Sequence, residues 1–212
     1  MNLFFDIETI PADEKFREIA VGLSLKKKLA KEHKTRISKP KTSQALEKLY
    51  RESAISGDLG RIFCIGYAMG DGPVEIIKGD EVAILKNWWQ LADRADLFIG
   101  HNIMEFDMRF IFKRSIVNKI KPSAKHLNLS FARYRNYPIY DTMREWEKWS
   151  TSFISLDTLA KALGLESSKN DGIDGSQVFD FYLAGKHQEI FDYCMRDVEL
   201  TRKIYKLMVF ER

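Results

Sequence analysis

The sequence predicts an α/β chain built on a central mixed sheet of five strands with helices packed against it. Three observations carry this. A short apolar run at the start and two later strand-like runs joined across Asp71-Gly72 read as an antiparallel meander. Beyond residue 80, helical apolar spacing alternates with short strand-like segments, which calls for strand–helix units. A length of 212 residues, 45% hydrophobic and 30% charged, is enough for one substantial core in a single domain.

The elements follow in order. Residues 3–7 form the first strand, an apolar run that ends in acids. Residues 62–69 and 74–78 form the second and third, with Asp71-Gly72 as the hairpin turn. Asp80 is the expected N-cap of a helix through Ile84, Leu85, Trp88 and Leu91, because its carboxylate can accept from the free N–H groups of the first turn. Residues 96–100 are a short strand ending at His101-Asn102, and the helix beyond it carries Asp107. Residues 138–141 supply the last strand, with helices following from Ser155, Ser176 and His187. Residues 13–56 fit no strand–helix unit and read as a basic, largely helical insertion into a domain spanning 1–212. Within it, 16–29 is amphipathic in part, 31–42 is polar with Pro40, and 45–50 is a second helix. Residues 169–176, with Gly172 and Gly175, read as a flexible loop that either folds over a substrate or caps a helix.

Composition removes several classes. No run of about 18 apolar residues suggests a membrane span. The start lacks the basic stretch and apolar core of a signal peptide, and acids appear by residue 6. Cys64 and Cys194, 130 positions apart, argue against a disulfide framework or zinc site and point to the cytoplasm. Net charge is only +4, but residues 108–140 hold eight Lys or Arg and no Asp or Glu, and residues 13–53 add a further +6, leaving −10 elsewhere. Phe110, Phe112, Phe131, Tyr134 and Tyr137 interleave with the cations of 108–140. That mixture tracks a phosphate backbone and stacks on unpaired bases, although solvated lysines on helix faces and core aromatics give the same pattern.

Three carboxylate signatures stand out: Phe5-Asp6-Ile7-Glu8-Thr9, then Asn102 with Phe106-Asp107, then Tyr193 with Asp197. Asp6 and Glu8, two apart on a strand, point to one face. Tyr193 and Asp197, four apart on a helix, occupy neighbouring turns of one face. Singly, each has a bland reading: a solvated turn, a helix start, a surface pair. Together in this order they read as a site for cutting phosphodiester bonds. Four acids without a cation would repel by about 4 kcal/mol per close pair at an effective dielectric of 20. Hard divalent ions take oxygen ligands, and two of them about 3.5 to 4 Å apart can stabilise both the attacking and the leaving oxygen of an in-line displacement.

These motifs resemble the DEDD 3′-5′ exonucleases of the ribonuclease H-like fold, in the subgroup with tyrosine in its third motif. The likeness is to the proofreading exonuclease domain of family B DNA polymerases and to stand-alone bacterial and phage relatives of that domain. Weaker likeness runs through Ile139-Tyr140-Asp141, Ser155-Leu156-Asp157-Thr158-Leu159-Ala160 and Asp174-Gly175-Ser176-Gln177-Val178, while residues 13–56 align to no family motif. The resemblance implies two divalent cations, Mg²⁺ or Mn²⁺. Asp6 would bridge both, Glu8 and Asp197 would complete the first, and Asp107 would hold the second. Tyr193 would orient the attacking water, since a phenol with a pKa of about 10 is a poor base at neutral pH. Thr9, Asn102 and Phe106 would contact the terminal nucleotide, Phe106 with a competing role in the core. Asp192 stands where the histidine subgroup would have His, which places the chain in the tyrosine class.

The implied activity is metal-dependent removal of nucleoside monophosphates from the 3′ end of DNA, single-stranded or frayed. Two alternatives stand beside it: an exoribonuclease with the same chemistry, and a non-catalytic nucleic-acid-binding module. His101 is expected to pack at a strand end and His187 fits no catalytic spacing. Asp141 suits either a family acid or plain turn chemistry.

Overall fold

The computed structural model describes residues 1–31, 42–123, 125–126, 128–129, 131–168 and 172–211. Its strands are β1 (Asn2–Ile10), β2 (Arg61–Met69), β3 (Val74–Lys78), β4 (Leu97–Gly100) and β5 (Ile139–Asp141). They form one sheet in the order β3-β2-β1-β4-β5. The β1/β2 and β2/β3 pairs are antiparallel, while β1/β4 and β4/β5 are parallel. The helices are α1 (Arg17–Lys31), α2 (Ser43–Arg51), α3 (Glu81–Ala92), α4 (Asp107–Val117), α5 (Thr142–Trp146), α6 (Leu156–Ala162), α7 (Val178–Leu183) and α8 (His187–Met208).

The central strand β1 explains how the layers form. Leu3, Phe5 and Ile7 point to one face and pack with Trp88 of α3 and with Met108 and Ile111 of α4. Phe4 points to the other, where it meets Val198 and Tyr205 of α8. The two-residue period therefore puts Asp6 and Glu8 on the α8 side. Gly66 of β2 lets α8 come close: a Cβ there would lie 3.0 Å from both Cys194 Sγ and Val198 Cγ2. Parallel pairing of β1 with β4 ends at Phe4↔Ile99, so the second half of β1 has no strand on that edge. The site gathers in this opening.

Local sequence sets most element ends. Asp80 accepts from Ala83 N–H at 2.9 Å and Ser155 accepts from Thr158 N–H at 3.1 Å, so both act as N-caps. In the β2–β3 turn the left-handed residue is Gly70 (φ +55°), while Gly72 closes the turn through its N–H to Met69 O at 2.9 Å. The turn thus begins one residue before the expected Asp71-Gly72 pair. Helix α7 starts at Val178, after an Asp174 turn in which the carboxylate accepts from Ser176 N–H at 2.8 Å. Helix α5 was not expected; Asp141, for which a family acid and plain turn chemistry were both open, is its N-cap.

Between β1 and β2, helices α1 and α2 pack around Ala12, Ala20 and Tyr50 against Phe179 of α7. Tyr50 hydroxyl donates to Ala12 O at 2.7 Å, and Arg51 pairs with Asp180 at 2.7 Å. Most of the polar stretch 31–42, and residues 169–171 of the loop expected at 169–176, lie outside the described residues. Among the described residues no helix is long and apolar enough to cross a membrane.

Candidate active site

Four acids converge where β1 leaves the edge of β4. Asp6 and Glu8 project from β1 on the α8 side, and ligand atoms of Asp6, Glu8 and Cys194 lie within 4.8 Å of one another. Asp107 enters from the first turn of α4. Its Oδ1 accepts from Ile7 N–H at 3.1 Å, filling the bond that β4 no longer supplies. Asp197 comes from α8, one turn beyond Tyr193. Glu8, Asp107 and Asp197 are buried and Asp6 is partly so.

The electrostatics show that the four act on one another. Withdrawal from water raises the pKa of Asp6 well above the ordinary carboxylate range, and the charges of Asp107 and Asp197 raise it further. Glu8 is raised in the same way, by burial first and then by Asp6. Burial pushes Asp107 up to about 7, against the pull of backbone N–H groups that include Ile7. The Tyr193 phenol is raised far above its usual value, first by burial and then by the Asp197, Glu8 and Asp6 charges, and it is hydrogen-bonded to Asp197. Such a phenol stays protonated and cannot act as a base. A set of clustered carboxylate oxygens, with Asp6, Glu8 and Asp107 penalised for ionising, suits hard divalent cations, whose charge would offset the repulsion.

Several supports were not legible beforehand. Cys64 is the register partner of Glu8 across β1/β2 and meets Cys194 behind the acids. The Cys194 thiol lies 3.7 Å from Asp6 Oδ2, and its sulfur accepts from Gly66 N–H at 3.2 Å. Both cysteines are buried and free. Their sequence signal was weak but present: Cys194 lies three residues before Asp197 on one helix face.

Asp141 has a structural task. One oxygen accepts from Asn102 N–H (2.9 Å) and Met143 N–H (3.1 Å), the other from Met104 N–H (3.0 Å). This holds the turn in which Asn102 adopts φ +63°. Asn102 lines a cleft that also reaches Tyr193 and Asp197. Its side-chain oxygen is buried without a hydrogen-bond partner among the described residues. Thr9 hydroxyl donates to Ala54 O at 2.7 Å, and the Phe106 ring packs 5.6 Å from Phe110 at the edge of the core. The structure therefore groups Asp6, Glu8, Asp107, Tyr193 and Asp197. Asn102 sits beside them, and Thr9 and Phe106 have protein partners nearby.

His101 packs at the end of β4. Burial lowers its pKa, so it is neutral. Its Nε2 faces Ile154 O at 2.9 Å and must carry a proton, while Nδ1 faces the Thr142 hydroxyl at 3.0 Å.

Part of the basic stretch 108–140 is engaged within the protein. Arg114 is buried and forks onto Glu81 at 2.8 and 2.7 Å. Lys113 pairs with Asp58 at 2.6 Å, Lys125 with Asp96 at 3.1 Å, and Arg109 donates to Met104 O at 2.7 Å. Lys119 and Lys121 are exposed, and Arg133 and Arg135 lie exposed beside exposed Tyr134 and Tyr137.

The fold has a counterpart among solved structures. It superposes with a TM-score of 0.65 and 13% identity on the structure of the family B DNA polymerase from the hyperthermophilic archaeon Pyrobaculum calidifontis. The match covers 98% of this chain and 24% of the polymerase, so the chain spans about a quarter of that protein's length. The mixed five-stranded sheet flanked by helices is thus a fold that recurs within that polymerase. Residues 72–211 match the family described as predicted 3′-5′ exonucleases related to the exonuclease domain of PolB, and the chain belongs to that family. This match includes Asp107, Tyr193 and Asp197 and leaves Asp6 and Glu8 outside it. An uncharacterized protein of Methanocaldococcus jannaschii is 24% identical over 158 residues, covering 70% of this chain and 86% of that one.

Proposed function

We propose that the chain, as one domain with residues 13–56 inserted, is a metal-dependent 3′-5′ exonuclease acting on single-stranded or frayed DNA ends. The observation that carries this reading is the joint convergence of Asp6, Glu8, Asp107 and Asp197, the first three raised in pKa by burial and by neighbouring carboxylate charges. Family membership supports the polarity and the reaction class.

In this reading Asp6, Glu8, Asp107 and Asp197 would hold two divalent cations, Mg²⁺ or Mn²⁺. Bound there, such ions supply positive charge that offsets the phosphodiester and lower the pKa of water. The chain's own residues do the rest. Asp107, tied to Ile7 N–H, fixes the spacing between α4 and the Asp6/Glu8 pair. The protonated Tyr193 phenol, spending its proton on Asp197, keeps an acceptor oxygen with which to orient the attacking water. Asn102 would face the terminal nucleotide from the adjoining cleft, and Thr9 and Phe106 are the further contacts that this reading assigns to that nucleotide. One water is consumed, the P–O3′ bond breaks, and the products are a nucleoside 5′-monophosphate and a shortened strand with a free 3′-hydroxyl.

The test uses 5′-labelled oligonucleotides with single-stranded, duplex, mismatched and RNA 3′ ends, with Mg²⁺ or Mn²⁺. The wild type should shorten single-stranded DNA from the 3′ end, and Asp6→Ala should not. Equal inertness of both proteins on every substrate would end the catalytic reading, and faster loss of RNA would replace DNA as substrate.

A further inference from the structure

We infer that Phe153, backed by Arg144, is the shelf on which the 3′-terminal base of the substrate stacks. This rests on the exonuclease reading and adds the place where the base lies.

A cleft of about 480 Å³ opens beside the candidate catalytic residues, and its lining includes Tyr193, Asp197, Asn102, Phe153 and Ile154. That volume falls within the range of small-ligand sites, about 300 to 1,000 Å³. Phe153 is 74% exposed although it stands at the mouth of this cleft. Its ring is therefore accessible to a ligand in the same cleft that reaches Tyr193 and Asp197. Arg144 guanidinium lies over the ring, 5.4 Å from its centroid. A cation and an aromatic ring held together offer the planar, electron-matched surface on which any base stacks, whatever its sequence.

The shelf is held in place. His101 donates to Ile154 O from Nε2, pinning the segment next to Phe153 to the end of β4. Asp141 accepts from Arg144 N–H at 3.3 Å, fixing the start of α5. The same Asp141 carboxylate accepts from Asn102 N–H. One buried acid thus ties Asn102 to the start of α5, whose Arg144 lies over the Phe153 ring. A base resting on Phe153 would leave its sugar and phosphate toward Asn102, Tyr193 and the acids, as removal of a terminal nucleotide requires.

The experiment is a cycle between protein and substrate. Initial rates over a range of oligonucleotide concentrations are measured with single strands ending in an ordinary nucleotide or in an abasic residue. Wild type, Phe153→Ala, Phe153→Leu and Phe153→Trp are compared, each checked for folding by circular dichroism. Loss of one base–aromatic stack corresponds to roughly a 10- to 100-fold fall in kcat/KM. Phe153→Ala and Phe153→Leu should show that fall on the ordinary strand, mostly as a higher KM, and Phe153→Trp should restore the rate. On the abasic strand all four proteins should be about equal. An unchanged Phe153→Ala, or an equal fall on both strands, overturns the shelf. Absence of any turnover by the wild type would count against the exonuclease reading instead. The shelf is then read by binding, as quenching of a 3′-terminal 2-aminopurine by the Asp6→Ala protein that Phe153→Ala abolishes. Quenching that survives Phe153→Ala overturns the proposal.

Discussion

Asp107 Oδ1 accepts a hydrogen bond from Ile7 N–H at 3.1 Å, so the carboxylate of one helix caps the peptide that lies between the two acids of the central strand. The contact takes the place of a strand. It holds α4 at a fixed distance from Asp6 and Glu8 while bringing another negative charge beside them. The price is electrostatic, and it gives the site its measurable signatures.

Asp107→Asn keeps an acceptor for Ile7 N–H and removes a charge. The metal-free variant should be more stable than wild type at pH 8 by about 0.5–2 kcal/mol, as relieving a strained functional site commonly gives. Its nuclease activity should fall by about 10²- to 10³-fold, the scale of a lost electrostatic contact. Denaturant melts and gel assays on the same preparation check both.

The raised carboxylates set a pH dependence. Asp107 binds its proton up to about pH 7 when folded but only near pH 4 when unfolded, so the folded state holds more protons in between. Stability of the metal-free protein from this group is therefore full below about pH 4 and is lost as pH rises through about 7; Asp6 and Glu8 act in the same direction. Added Mn²⁺ should raise the melting temperature more at pH 8 than at pH 5.5. A larger rise at pH 5.5 would contradict it.

Tyr193→Phe should slow turnover by about 10- to 100-fold, as loss of a positioning group does, with Mn²⁺ affinity unchanged. Because burial and the Asp197 charge keep the phenol protonated, the wild-type rate profile should show no alkaline limb that the variant lacks.

The Glu81–Arg114 pair is 12% and 8% exposed, and Glu81 also accepts from Ile62 N–H at 2.8 Å and from Asn118 at 3.0 Å. Glu81→Ala would leave a guanidinium buried and should cost about 3–5 kcal/mol by urea denaturation. Glu81→Leu combined with Arg114→Met should recover part of that loss.

Gly66→Ala would place a methyl against Cys194 and Val198 and lever α8 away from β2. About 1–3 kcal/mol of stability should be lost. Activity should fall further than Asp107-distant core variants of equal stability, since α8 carries Tyr193 and Asp197.

Much of this was legible in local chemistry. Period two placed Asp6 and Glu8 together, apolar spacing found α3 and α8, and Asp80 and Ser155 announced their helices. What escaped depended on tertiary meetings. Asp141 and α5 form one five-residue capped turn too short for periodicity to reveal. Cys64 and Cys194 meet only because Gly66 lets α8 approach the sheet. Arg114 was counted as a surface cation although it lies four residues after Phe110 on the buried face of α4. That i, i+4 spacing was the available signal.

The most direct measurement is diffraction from crystals grown with Mn²⁺ and a short single strand, collected where manganese scatters anomalously. The four-acid site calls for anomalous peaks bounded by Asp6, Glu8, Asp107 and Asp197, and for their absence in Asp6→Ala. Peaks elsewhere with these carboxylates turned away, or none at a saturating concentration, would contradict it.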